Sequence, residues 1–110
     1  MQAVIHALGE PRRREILALV RRRELAAGEI ADRFEVTRPA ISQHLTVLKK
    51  AGLVSERRDG ARRLYRARPE GLAELRAFLD AFWEHHLDRL KVAAEEQEGR
   101  GRAARAADRN

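Results

Sequence analysis

The sequence contains no cysteine. A disulfide scaffold, a thiolate metal site and a cysteine nucleophile are therefore excluded, and the composition fits a reducing cytosol. Long apolar runs are missing too, since uncharged apolar stretches extend over only a few residues, so no segment can span a bilayer as a helix. The stretch from Met1 to Gly9 lacks the basic start and long apolar centre of a signal peptide. The expected location is the cytoplasm, with no membrane partner. There is no Gly-rich phosphate loop, no activated nucleophile and no paired-carboxylate pocket, so neither an enzyme nor a cofactor is expected. Proline is scarce, and all three (Pro11, Pro39 and Pro69) fall where a helix can begin.

What is present points to one globular domain. The 110 residues suit a single domain with a modest core, for which a partner chain is a natural support. Charged residues at 36% and hydrophobic ones at 44% are in the globular range. The net charge of +6 is unevenly spread. Residues 1–68 carry 16 Lys/Arg against 8 Asp/Glu, residues 69–98 carry 3 against 8, and residues 99–110 carry 4 against 1. A basic body with an acidic segment points to a polyanion for the body and a separate task for the segment. An Arg-rich surface on an ordinary soluble protein gives the same totals.

Periodicity predicts five helices. Gln2–Leu8 forms a short one, with Val4, Ile5 and Leu8 on one side, broken at Gly9-Glu10-Pro11. A second starts at Pro11, carries the apolar stripe Ile16, Leu17, Val20, and ends with Arg21-Arg22-Arg23, favourable for its dipole. A third runs from about Ala27 to Phe34, with Ala27, Ile30, Ala31 and Phe34 at helical spacing. Thr37 is placed to cap a fourth helix, with Val36 and Ile41 spaced as a hydrophobic staple, Ile41, Leu45 and Leu48 facing inward, and Gly52 at its end. Leu53–Arg58 and Arg62–Ala67 read as strands around Asp59-Gly60-Ala61, a hairpin signal, with Tyr65 and Ala67 on one face. The last helix starts at Pro69 and runs to about Glu98, ended by Gly99-Arg100-Gly101-Arg102. Its length, ~45 Å at ~1.5 Å per residue, exceeds the width of a domain this small. The expected division is a domain over 1–98 and a flexible basic tail over 99–110.

Two short helices, a tight turn and an amphipathic second helix describe a helix-turn-helix, and the hairpin behind it makes a winged helix. The second helix leaves Arg38, Ser42, Gln43, His44 and Thr46 outside its apolar seam. Arg can grip guanine bidentately, Gln can grip adenine, and Ser and Thr adapt to either. The same list would also serve as a solvated face of a plain helical bundle. Arg57, Arg58, Arg62 and Arg63 surround the hairpin turn, where they can meet phosphate or a minor groove, or simply protect a sheet edge.

Val36-Thr37-Arg38-Pro39-Ala40-Ile41-Ser42-Gln43-His44-Leu45, continuing through Val47-Leu48 and Ala51-Gly52-Leu53-Val54, resembles the recognition-helix signature of ArsR-type winged-helix repressors. Glu10–Leu17 is similar to that family's opening motif, Gly28-Glu29-Ile30-Ala31 to its helix before the turn, and Gly60, Arg62, Arg63 and Tyr65 to its wing. The likeness covers about residues 3–90. It implies a mainly α fold with a small β-hairpin: five helices and a two-stranded wing. It implies a homodimer that binds double-stranded DNA and represses transcription. By position, Thr37, Arg38, Ser42, Gln43 and His44 fall on the DNA side, with Thr46, Lys49 and the wing's Arg62 and Arg63 as flanking contacts. The terminal helices are implied to pair, which puts Leu72, Leu75, Leu79, Phe82, Trp83, His86 and Leu90 in a dimer interface.

The chain departs from the family pattern at Ala26, where a Ser or Thr cap is usual, and in its lack of metal ligands. No Cys is available on the second helix, and Phe82 stands where a His would follow Asp80. Asp80, Glu84, His85 and Asp88 share a rough face that reads as a solvated acidic surface, with a weak divalent site as the alternative. His86 reads as an interface residue rather than a ligand, and no metal is assigned. Two rival functions remain: a metal- or small-molecule-responsive sensor on the same fold, and a protein-interaction module using the long last helix.

Overall fold

The computed structural model describes residues 1–108, except for the side chains of His86 and of residues 100–108. Two units are distinct along the chain, Met1–Leu75 and the segment from Arg76 onward. The first contains α1 (Gln2–Leu8), α2 (Pro11–Arg22), β1 (Leu25–Ala26), α3 (Ala27–Phe34), α4 (Arg38–Lys50), β2 (Val54–Asp59) and β3 (Arg62–Ala67). A 3₁₀ turn over Pro69–Leu72 leads into α5 (Ala73–Asp108).

Helix boundaries follow local chemistry. Glu10 caps α2 by accepting from the Arg13 N–H at 3.0 Å, and Pro11 occupies the first turn, where a missing donor costs nothing. Arg13 Nε donates to the Ala7 carbonyl at 2.7 Å, and Arg14 Nη1 to the Leu8 carbonyl at 2.6 Å, so two arginines satisfy the open end of α1. Ala26 offers α3 no side-chain cap. Instead the Glu29 carboxylate reaches back to the Ala26 N–H at 3.1 Å, supplying half of a capping box.

Between α3 and α4, Glu35 adopts φ +53°, the left-handed region, while Val36 N–H reaches back to the Ala31 carbonyl. This conformation costs a non-glycine residue about 1 kcal/mol. Thr37 Oγ1 then accepts from the Ala40 N–H at 3.3 Å and opens α4. At the other end, Gly52 sits at φ +77°, with Gly52 N–H on the Lys49 carbonyl and Leu53 N–H on the Leu48 carbonyl, both at 3.0 Å. This is the two-bond Schellman ending, and its apolar pair, Leu48 and Leu53, is fully buried.

The core of this unit gathers Ile16 and Val20 from α2, Ile30 from α3, Ile41, Leu45 and Leu48 from α4, and Leu53. Each contributes roughly 1.5–3 kcal/mol by leaving water. The expected stripe of α1 is corrected: Val4 and Ala7 are buried, whereas Ile5 is half exposed.

The hairpin pairs Asp59 with Arg62, leaving Gly60 and Ala61 as the two turn residues. Only Gly60 of the two has positive φ (+63°), the pattern of a type II′ turn, so Gly60-Ala61 rather than Asp59-Gly60 forms its centre. The hairpin is two-stranded as expected, and β1 adds a third strand along β3, giving the order β1-β3-β2. Leu64 is buried and Tyr65 and Ala67 half-buried, so β3, the middle strand, is covered on both faces.

In the second unit α5 continues past Gly99, where its end was expected, to Asp108. The stretch expected as a flexible basic tail is therefore helical as far as Asp108, and residues 109–110 lie outside the described residues. Along the described part, Phe78, Leu79, Phe82, Trp83, Leu87 and Leu90 line one side of the helix, each between 42% and 58% exposed. Phe82 and Trp83 meet edge to face at 5.8 Å. No helix among the described residues is long and apolar enough to cross a membrane.

Candidate nucleic-acid interface

Buried Ile41, Leu45 and Leu48 fix how α4 is rotated, and hence what it presents outward. Ser42, Gln43, Thr46 and Lys49 are exposed. Thr46 Oγ1 donates to the Ser42 carbonyl at 2.9 Å, so its hydroxyl is tied to the helix. Thr37 is committed to the cap.

Two clefts flank this face. One, of about 640 Å³, is lined by Arg38 and Ser42 of α4, Gly28, Glu29 and Asp32 of α3, and Arg62, Arg63 and Tyr65 of the wing. The other, of about 510 Å³, is lined by Ser42, Thr46, Lys49 and Lys50 of α4 and by Glu56, Arg63 and Tyr65 of the wing. Ser42, Arg63 and Tyr65 border both, so α4 and the wing form one continuous grooved surface. The Arg38 guanidinium lies beside Gly28 of α3, where a β-carbon would make only ordinary van der Waals contact with it, at 4.0 Å.

The residues expected to read DNA divide accordingly. Arg38, Ser42, Thr46, Lys49, Arg62 and Arg63 come together on the grooved surface, and Gln43 is exposed beside them. His44 does not join them. Two steps of ~100° carry it about 160° round α4 from Ser42 by the shorter way. There it is half-buried, its Nδ1 3.4 Å from Arg13 Nη1. The expected pairing residues divide as well. Leu72 and Leu75 pack against the core of the first unit, Leu79, Phe82, Trp83 and Leu90 lie on the exposed stripe of α5, and the His86 side chain lies outside the described residues.

Sequence reading missed the acidic partners of these cations. Glu24 takes Arg57 through three hydrogen bonds of 2.6 to 3.0 Å. Glu29 pairs with Arg62. Glu56 takes both Lys49, at 3.0 Å, and Arg63, at 3.5 Å. Arg38, by contrast, forms no ion pair among the described residues. The Arg57 hydrogen bonds hold the Glu24 carboxyl below its ordinary value. The Lys49 hydrogen bond does the same for Glu56, against a desolvation that works the other way. Burial, and then the Glu56 charge, push the Tyr65 phenol up. One signal for Glu56 was present. Strand alternation puts it on the same face as Val54, an apolar core position, so a carboxylate there needed a partner.

On α5, Arg76 and Asp80 form an exposed i, i+4 pair at 3.7 Å. Among the described residues, no three His, Asp or Glu side chains are grouped to hold a metal ion, and this includes Asp80, Glu84, His85 and Asp88.

The family profile of bacterial regulatory proteins of the arsR family matches residues 10–56, which span α2 through the start of the wing. The HTH-type transcriptional regulator Rv2034 of Mycobacterium tuberculosis is 49% identical over 81 residues, covering 74% of this chain and 76% of the relative. The transcriptional repressor SdpR of Bacillus subtilis is 42% identical over 60 residues, or 54% of this chain and 67% of SdpR. Among solved structures, a possible transcriptional regulator for arsenical resistance shares 48% identity at a TM-score of 0.65, covering 78% of this chain and 90% of its own. The homodimeric winged helix-turn-helix DNA-binding domain Mb0332 of Mycobacterium bovis shares 36% identity at a TM-score of 0.62, covering 78% and 80%. With its two-helix reading unit, its wing and these relatives, the chain belongs to the arsR family of bacterial regulatory proteins.

Proposed function

We propose that the chain is a cytoplasmic transcriptional repressor that binds a pseudo-palindromic operator in double-stranded DNA as a homodimer. The observation that carries this reading is the shared surface of α4 and the wing. Arg38 and Ser42, from the N-terminal half of α4, open onto the same cleft as Arg62 and Arg63. The N-terminal half of a recognition helix is the part that meets base edges, and flanking cations hold the phosphates on either side. In this reading Arg38, Ser42 and Gln43 contact bases, while Lys49, Arg62 and Arg63 contact backbone or minor groove. Thr37 holds the start of α4 in place, and His44 supports it from the α2 side.

Dimer formation uses the exposed stripe of α5, and Phe78, Leu79, Leu87 and Leu90 provide its apolar area. A second copy is the natural occupant, because the similar domain Mb0332 is itself homodimeric. Two-fold pairing presents two equivalent α4 helices, so the half-sites lie one DNA turn, ~10–10.5 bp, or a multiple apart. The regulator needs no catalytic group and no metal.

Selection of bound fragments from a random duplex pool with the purified chain tests the whole reading. An enriched inverted repeat with that spacing is expected. A pool that stays random after several rounds, at salt low enough to keep the protein on DNA, would overturn it.

A further inference from the structure

We propose that Glu56 is a positioning residue that sets DNA specificity: its carboxylate holds Lys49 and Arg63 in one arrangement and repels polyanions that do not fit it. The proposal rests on the DNA-binding reading above.

Glu56 differs from the other acidic partners in its place and its valence. Its side chain is 16% exposed, whereas those of Lys49 and Arg63 are 54% and 57% exposed. One carboxylate oxygen accepts from Lys49 Nζ and the other faces Arg63 Nε, so a helix and a strand share a single anion. Glu24 and Glu29 each hold one arginine, and their side chains are 25% and 42% exposed. Glu56 therefore lies in the floor of the cleft between α4 and the wing, beneath two cations that face outward. Tyr65, its partner across the hairpin, borders the same cleft.

The fold does not require this pair. Leu53 and Val54 already anchor the start of β2 in the core, and ion pairs with exposed members contribute little to stability. Its effect on an approaching duplex is larger. Lys49 and Arg63 reach the DNA with their rotamers already restricted, so less freedom is lost when a phosphate meets their outer sides. A phosphate in any other position meets a fixed negative charge. Operator binding, with its register set by base contacts from α4, keeps phosphates on the outer sides. Random DNA samples every register and is penalised. Glu56 thus acts as a repulsive element against wrong partners, as specific interfaces commonly require.

The test compares the full-length wild type with Glu56→Gln and Glu56→Asp. The probes are an operator duplex recovered by selection with the wild type and a scrambled duplex of equal length and composition. Affinities are read by fluorescence anisotropy over a salt series, and thermal unfolding is followed in parallel. Glu56→Gln removes the carboxylate charge and so frees one more cation per protomer for phosphate. The log–log salt slope on scrambled DNA should steepen by ~0.9 per protomer, which at 0.1 M salt corresponds to about eightfold tighter binding. The operator-over-scrambled ratio should fall by about fivefold or more, and Glu56→Asp, which keeps the charge, should recover most of it. A ratio within twofold of wild type for Glu56→Gln, or an equal fall for both variants, would overturn the proposal. So would failure of Glu56→Gln to fold, which would make the carboxylate a structural requirement. If the wild type itself fails to prefer any selected duplex, the DNA-binding reading fails first, and this proposal with it.

Discussion

Leu90→Ala tests the pairing of two chains through α5. Leu90 is 53% exposed. A fully buried leucine contributes roughly 1.5–3 kcal/mol, so covering the open half of this one contributes about 1 kcal/mol. A two-fold interface contains the residue twice, which gives about 2 kcal/mol per dimer. Incomplete closure of the resulting cavity raises this toward 4 kcal/mol. At 1.4 kcal/mol per factor of ten, the dimer dissociation constant should rise by ~30-fold to several hundred-fold. Leu87→Ala should behave similarly, since Leu87 is 57% exposed on the same side. The helix provides its own control. Asp88 is exposed and, at ~100° per residue, lies about 160° from Leu90 and about 80° or more from every residue of the stripe, so Asp88→Ala truncates a surface side chain without touching the interface. Sedimentation equilibrium over nanomolar to micromolar protein measures all four chains. Leu90→Ala and Leu87→Ala within threefold of wild type, or Asp88→Ala as disruptive as they are, would refute the reasoning.

Three further outcomes are expected. Arg38→Ala should cost ~1–3 kcal/mol at the operator and relax preference at one position per half-site, whereas Arg62→Ala should weaken matched and scrambled DNA alike and lower the salt slope by ~1; binding titrations with both duplexes separate the two. Because Arg57 lowers the folded-state pKa of Glu24, that pair stabilises the protein above the ordinary glutamate range and loses its effect as pH falls through the depressed value. Thermal melts of wild type and Glu24→Gln should therefore differ at neutral pH and converge in strong acid, and a gap that persists at pH 2 would contradict the assignment. Stoichiometric zinc should shift operator affinity by no more than a few-fold, and a ~100-fold loss in a titration, about 2.7 kcal/mol of coupling, would reveal a metal site on the acidic side of α5.

Sequence alone located α3 and α4 closely, and the reason is local. Ile30 and Ala31, then Ile41, Leu45 and Leu48, repeat at helical spacing, and Thr37 and Gly52 mark the ends of α4 with chemistry that acts within a few residues. The strand β1 could not be read this way. Leu25–Ala26 is too short to alternate, and it is extended only because Tyr65 and Leu64 lie beside it. The left-handed Glu35 carries no glycine signal. His44 shares the recognition motif with its neighbours, yet its rotation about α4 takes it to Arg13, a residue 31 positions away. The wing arginines were recognised as basic, but the carboxylates that hold them lie on other elements: Glu24 and Glu29 are each 33 positions from their partner. Charge counting sees such residues as a sum, whereas the fold arranges them as pairs. α5 exceeded its expected end because Gly99 and Gly101 raise the cost of a helix, roughly 1 kcal/mol each, without forbidding it.

The two-residue turn at Gly60-Ala61 limits how the wing can change over evolutionary time. Adjacent side chains on β3 leave the sheet in opposite directions, and here Arg62 goes to Glu29 of α3 while Arg63 goes to Glu56 of the neighbouring strand. Inserting or deleting one residue on one side of the turn would exchange those directions for every position beyond it. It would direct Arg63 toward α3 and turn Leu64 out of the core. Lengthening by one residue on each strand preserves both assignments and moves only the tip outward. Wings of this kind should therefore differ between lineages by even numbers of residues, and an odd difference should come with a bulge that restores the alternation.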